Sequence, residues 1–219
     1  MSIAAIIVAA GSSQRMGFDK LASDLHGRPV LAHSVEAFCA APSIDEIFVV
    51  CPSDRFAKLL PGPFPKPVHR IDGGTTRQLS VHNGLLVLSP ETTHVAVHDG
   101  ARPLISPDDI DRCVAAAALY RSVALARRVT ETLKRADDEG FSNQAVSREN
   151  LWFMETPQVF TVDILKRAYA AVTDGNLAVT DEVSALEAIG MRVKLVESTH
   201  PNLKITTPAD LVLAEAIVT

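Results

Sequence analysis

Apolar runs of strand length alternate along most of the chain with stretches whose apolar positions recur at helical spacing, the pattern of βαβ units on a parallel sheet. Ile3–Ala9 reads as the first strand. Pro29, suited to a first helical turn, opens the helical stretch VLAHSVEAFCAA, and Ile44–Cys51 returns as a strand. The segment LPGPFPKP, residues 60–67, holds four of the 13 prolines and is expected to be a surface loop before a short strand at Val68–Ile71. A helix at Thr76–Leu88, a strand at His94–His98, a helix at Pro107–Tyr120 and a strand at Ser122–Val129 continue the alternation. Ser106 is placed to cap the third of these helices, with Asp108, Asp109 and Asp111 in its first turn.

The rhythm then changes. From Thr130 to Phe160 the pattern gives short extended pieces around the polar turn Asp137–Gly140 and no helical stretch, which predicts a β-hairpin or protruding arm. Helices at Val162–Val172 and Asp181–Ile189, a strand at Arg192–Glu197 and a closing helix at Pro208–Val218 complete the chain. The expectation is an α/β fold, Rossmann-like, with a three-layer α/β/α arrangement and a mostly parallel central sheet. It forms one domain over residues 1–219, with 130–160 as an inserted β-arm.

Composition narrows the function classes. The 219 residues are 47% hydrophobic, enough for a sizeable core, and 21 Lys plus Arg against 26 Asp plus Glu give a net charge of −5. That balance speaks against nucleic acid or an anionic membrane as partner, so a phosphate ligand must be held by local cations. Cys39, Cys51 and Cys113 lie far apart without CxxC spacing and read as buried thiols. The N-terminus has no basic region before its short apolar run, and a cytoplasmic setting is expected.

The first strand runs into AAGSSQRMGFDK, residues 9–20. Neither GxxxxGK[ST] nor GxGxxG fits it. What remains is a glycine after a strand, small polar residues and the cations Arg15 and Lys20. Bare backbone N–H groups in such a turn make an anion site, and Arg offers a fork matched to phosphate, although an ordinary strand-to-helix turn with two solvated cations reads equally well from this stretch alone. His98-Asp99-Gly100-Ala101-Arg102-Pro103 weights the choice, because it closes a strand where open α/β sheets place ligands. A lone Asp beside phosphate oxygens is a donor set that suits Mg2+.

With both motifs the sequence resembles the 2-C-methyl-D-erythritol 4-phosphate cytidylyltransferase family of nucleotidyltransferases. The resemblance spans nearly the whole chain: AAGSSQRMG at 9–17, Lys20, GGTTRQLSV at 73–81, HDGARP at 98–103, TLK at 132–134, LWxxxTPQxF at 151–160, TDEVSALE at 180–187 and NLKITTPADL at 202–211. It implies CTP as co-substrate, with Ala9, Ala10, Gly11, Gly74, Thr75 and Ser80 around the nucleotide. Arg15, Lys20 and Lys204 would act on the phosphates and Asp99 would bind Mg2+. It implies an acceptor site at Arg102, Arg148, Thr156 and Thr180, shared across a homodimer through the arm. The acceptor's phosphate oxygen is already anionic and needs no general base, so His33, His69, His82 and His98 are left without a chemical task. Asp181 and Glu182 read as helix caps that fix Thr180.

Four other readings compete. A ribitol 5-phosphate or other polyol phosphate cytidylyltransferase shares the chemistry, and the compact RMGxxK spacing also resembles molybdenum-cofactor nucleotidyltransferases. A dinucleotide-binding oxidoreductase would have the same βα order but lacks GxGxxG. A non-catalytic nucleotide sensor has no reason to keep Arg15, Lys20, Asp99 and Lys204 together.

Overall fold

The computed structural model describes residues 1–11, 17–175, 177 and 179–218. The elements are β1 (Ile3–Val8), β2 (Asp24–Leu25), β3 (Arg28–Pro29), α1 (Val30–Ala40), β4 (Glu46–Val50), α2 (Ser53–Leu59), β5 (Val68–Ile71), α3 (Arg77–Leu86) and β6 (His94–Asp99). They continue with α4 (Pro107–Tyr120), β7 (Ser122–Arg128), β8 (Leu133–Ala136), β9 (Ser142–Val146), β10 (Trp152–Thr161), α5 (Val162–Asp174), α6 (Glu182–Glu187), β11 (Lys194–Glu197) and α7 (Pro208–Ile217). A seven-stranded sheet runs in the order β11-β7-β10-β6-β1-β4-β5. Its pairs are parallel except where β10 lies antiparallel to β6 and β7.

The all-apolar β1 follows from burial on both faces. Its alternate residues Ile3, Ala5 and Ile7 pack with α1 and α4, whereas Ala4 and Ile6 pack with residues of α3, α5 and α6 on the other side. Three layers result, as the alternation of apolar runs predicts. Ser106 caps α4 by accepting from the Asp109 N–H, and Pro107 begins the helix. Asp111 lies beyond the first turn and instead accepts from the N–H and hydroxyl of Ser43, tying α4 to the loop before β4.

The expected arm is only partly an arm. The hairpin β8–β9 turns at Asp137–Gly140, where the Asp137 N–H donates to Phe141 O at 3.0 Å. Residues 152–160, expected to belong to it, run back into the sheet as β10, between β6 and β7. The short helix α2 is a second departure, because the sequence pattern gives no helix at 53–59. The cysteines are buried, and burial pushes the Cys51 and Cys113 thiols up to about 11 and about 12. Among the described residues no helix is long and apolar enough to cross a membrane.

Candidate active site

Parallel register brings the C-terminal ends of four strands to one edge: Val8 pairs with Val50 and with Asp99, and Val50 with Ile71. Because β10 runs the other way, its first half reaches the same edge and sets Thr156 beside Asp99. Ala9–Gly11, Gly73–Ser80, the 98–103 turn and Thr156 therefore converge where open α/β sheets hold ligands.

Asp99 is the centre. Lys204 Nζ stands 2.6 Å from its Oδ2, and Arg77 Nε stands 3.1 Å from its Oδ1. Burial alone would raise this carboxyl, but the charges of Arg77 and Lys204 outweigh it and hold it well below the usual carboxylate range. Arg77 also grips Glu182 with both terminal nitrogens, at 2.6 and 3.0 Å, and Tyr169 donates its hydroxyl to Glu182 Oε1 at 2.9 Å. Glu182 thus faces inward, fully buried, instead of capping α6. Asp181 is the cap, paired reciprocally with Ser184.

Lys20 Nζ donates to Ile205 O at 2.8 Å, one residue along from Lys204, so both lysines come to one end of the site. Arg15 lies outside the described residues. Either side of it, Arg55 of α2 donates to Ala9 O and Gly11 O and pairs with Asp19 at 3.1 Å, cross-linking the two ends of the 11–19 segment. Sequence patterning missed Arg55, Arg77 and Glu182; the one available signal, the Arg at the fifth position of GGTTRQLSV, lacked a visible partner.

The residues expected around the nucleotide are drawn together by close backbone approach. A Cβ on Gly73 would lie 2.5 Å from Ala10 Cβ, and one on Gly74 would lie 2.3 Å from Leu79 Cβ. The Gly74 N–H donates to Ser80 Oγ at 3.1 Å, and the buried Ser80 hydroxyl donates to Thr76 O, so Ser80 shapes the loop from beneath while Thr75 is exposed. Gly74→Ala is therefore expected to displace the start of α3 and raise about tenfold the KM for the CTP that the resemblance implies, an overpacking cost of about 1–3 kcal/mol. Steady-state kinetics at fixed acceptor would check it.

Of the residues expected at the acceptor, Thr156 is buried, with its hydroxyl committed to the Asp99 N–H at 3.1 Å and to His98 Nδ1 at 2.9 Å. Arg102 donates to the backbone carbonyls of Asn202 and Met154, at 2.7 and 3.2 Å. Both therefore fasten the edge that carries Asp99 and Lys204. Thr180 is exposed at the head of α6, its N–H donating to Ser184 Oγ at 3.0 Å. Arg148 is exposed at the foot of the hairpin and donates to Thr130 O. Burial holds the His98 imidazole neutral, down to about 3. His33 bonds Leu25 O at 2.7 Å, and His69 stacks on Phe48 at 5.3 Å.

With this edge described, the sequence profile of the 2-C-methyl-D-erythritol 4-phosphate cytidylyltransferases matches residues 3–219. The chain belongs to this family. It is 41% identical to a cytidylyltransferase of that name from Pelotomaculum thermopropionicum, over 99% of this chain and 94% of the relative. A Prochlorococcus marinus relative of the same name is also 41% identical, over 97% and 96%. Its fold is similar to the crystal structure of 4-diphosphocytidyl-2C-methyl-D-erythritol synthase from Anaerococcus prevotii, with a TM-score of 0.86 and 30% identity over 98% of this chain and 97% of that one. The family's Thermus thermophilus enzyme matches at TM-score 0.82 and 31% identity, over 99% and 98%.

Proposed function

We propose that this chain transfers the cytidylyl group of CTP to 2-C-methyl-D-erythritol 4-phosphate, giving 4-diphosphocytidyl-2-C-methyl-D-erythritol and pyrophosphate in non-mevalonate isoprenoid synthesis. The observation that carries the reading is the pairing of Asp99 with Lys204 at 2.6 Å on the edge where Lys20, Ala9–Gly11 and Gly73–Ser80 meet, in a chain of this family. An acceptor phosphate oxygen attacks the α-phosphorus in line; the new P–O bond forms as the bond to the β-phosphate bridging oxygen breaks, and the electron pair leaves with pyrophosphate. The attacking oxygen is anionic at neutral pH, so no side chain removes a proton.

Catalysis then consists of placing the two phosphates and neutralising the charge that spreads over them. Lys204 meets the α-phosphate, and Lys20 with Arg15 takes the β- and γ-phosphates. A divalent cation fits the donor set: Asp99 is a carboxylate held ionised beside the place for phosphate oxygens, which is how Mg2+ is commonly bound. Once bound there, it would offset negative charge on the leaving pyrophosphate. Lys204, which pairs with Asp99 here, would turn its ammonium to the α-phosphate when Asp99 holds the cation.

Arg148 and Thr180 are the acceptor contacts in this reading, and Arg148 sits on an exposed hairpin that suits contribution to a neighbouring subunit's site in a homodimer. Pyrophosphate release from each of CTP, ATP, GTP and UTP, with methylerythritol phosphate and ribitol 5-phosphate side by side, tests base and acceptor together. CTP with methylerythritol phosphate should exceed the other pairs by about a hundredfold in kcat/KM, the discrimination a shaped pocket can supply. A preference for ribitol 5-phosphate would replace the acceptor, and a preference for another nucleotide would replace the base.

A further inference from the structure

A closed circuit of hydrogen bonds lies beneath Asp99. The Asp99 N–H donates to Thr156 Oγ1 at 3.1 Å, and the same hydroxyl meets His98 Nδ1 at 2.9 Å. His98 Nε2 faces the carbonyl of Arg102 at 3.3 Å. A carbonyl can only accept, so Nε2 carries the ring's proton; Nδ1 of the neutral imidazole is then an acceptor, and the Thr156 hydroxyl must donate to it. From Arg102 the circuit continues through Nη1 to Asn202 O at 2.7 Å, and from Asn202 Nδ2 to Thr156 O at 2.8 Å, where it closes. Every proton direction in it is fixed.

Both members of the ion pair hang from this circuit. Asp99 follows His98 directly, and Lys204 lies two residues beyond Asn202. The imidazole is fully buried and tilted against Phe38, with centroids 4.9 Å apart, so it is a rigid strut between β10 and the 98–103 turn. We propose that His98 is a positioning residue of the transferase: by accepting from Thr156 and donating to Arg102 it fixes the backbones of Asp99 and Lys204 at the separation their phosphate chemistry requires. The inference rests on the roles given above to Asp99 and Lys204.

The variants His98→Phe, His98→Asn, Thr156→Val and the double His98→Phe/Thr156→Val test it beside Asp99→Asn. His98→Phe keeps the packing on Phe38 and removes both bonds; His98→Asn keeps an acceptor for Thr156. In the protein without CTP or metal, a long-range proton–nitrogen NMR spectrum should show His98 protonated on Nε2 alone. Exchange of the Asp99 amide hydrogen should accelerate in Thr156→Val and His98→Phe and stay near the parent in His98→Asn. In turnover, kcat should fall about ten- to a hundredfold in His98→Phe while KM for CTP moves far less, since small displacements act on attack geometry. His98→Asn should recover most of the loss, and the double variant should be no worse than the poorer single one.

A folded His98→Phe protein with parent kcat and unchanged Asp99 amide exchange overturns the inference, as does an Asn variant as impaired as the Phe variant. Failure of both to fold, read by thermal unfolding, also overturns it, because the ring would then be a packing requirement. If Asp99→Asn itself turns over at the parent rate, the role of Asp99 falls, and with it the reason to position that residue; a dead Asp99→Asn beside an active His98→Phe removes the inference alone.

Discussion

Asp99→Asn should lower CTP-dependent pyrophosphate release about a thousandfold, the upper range for removing one electrostatic group aimed at developing charge. The substitution is nearly isosteric and leaves the Asp99 N–H to Thr156 in place, so the loss is read as charge. Asn cannot hold a divalent cation with comparable strength, and Lys204 loses the partner that stands 2.6 Å away. Lys204→Ala should cost about a hundredfold or more, and the two changes together should fall short of their product because they act on one pair. An Asp99→Asn enzyme that keeps the parent rate at all Mg2+ concentrations would remove Asp99 from the proposed metal site.

The same charge arrangement fixes the sign of the pH dependence. The carboxyl of Asp99 lies below its ordinary value because Arg77 and Lys204 outweigh the burial that would raise it. It stays ionised through the neutral and mildly acid range, so the fall in rate on acidification should track the acceptor phosphate, which takes its proton near pH 6. For stability, a depressed carboxyl contributes fully above its unfolded value of about 3.9 and loses that contribution as pH falls toward the folded value. Unfolding midpoints measured from pH 5 downward should therefore drop less steeply in Asp99→Asn than in the parent.

Local signals made much of the scaffold legible. The cap of α4, the Asp137–Gly140 turn and the β1, β4 and β6 runs were readable because their causes lie within a few residues. β10 was not, since Pro157 argues against a central strand. It is accommodated where the β10–β7 register shifts between Met154 and Gln158, a device visible only once the partner strand is known. The motifs located Asp99, Lys20 and Lys204 but not what orients them: Arg77 and Glu182 are 105 residues apart, as are Lys204 and Asp99. Glu182 read as a cap because carboxylates at helix starts usually are; only the packing of Tyr169 and Arg77 turns it inward. Thr156 and Arg102 are expected from the motifs as acceptor contacts, whereas their side chains are committed to the protein's own backbone and to His98.

Glu182→Ala should destabilise the protein by about 3–5 kcal/mol, the cost of breaking a buried ion pair from one side. Arg77 would be left largely buried with Asp99 as its remaining anion, and the Tyr169 hydroxyl would lose its acceptor. For a chain of 219 residues this corresponds to a fall in Tm of roughly 10 °C. Replacing both ends by apolar side chains, Arg77→Met with Glu182→Leu, should restore most of the Tm, because no charge is then left without a partner. Activity should not return with it. Asp99 Oδ1 would have lost the guanidinium 3.1 Å away, and the carboxylate would be free to rotate away from the phosphate side. A double variant about tenfold slower than the parent but nearly as stable would assign the Arg77–Glu182 pair to orienting Asp99. A double variant as unstable as Glu182→Ala would instead mean that the cavity and hydrogen-bond geometry, not the buried charge, set the cost.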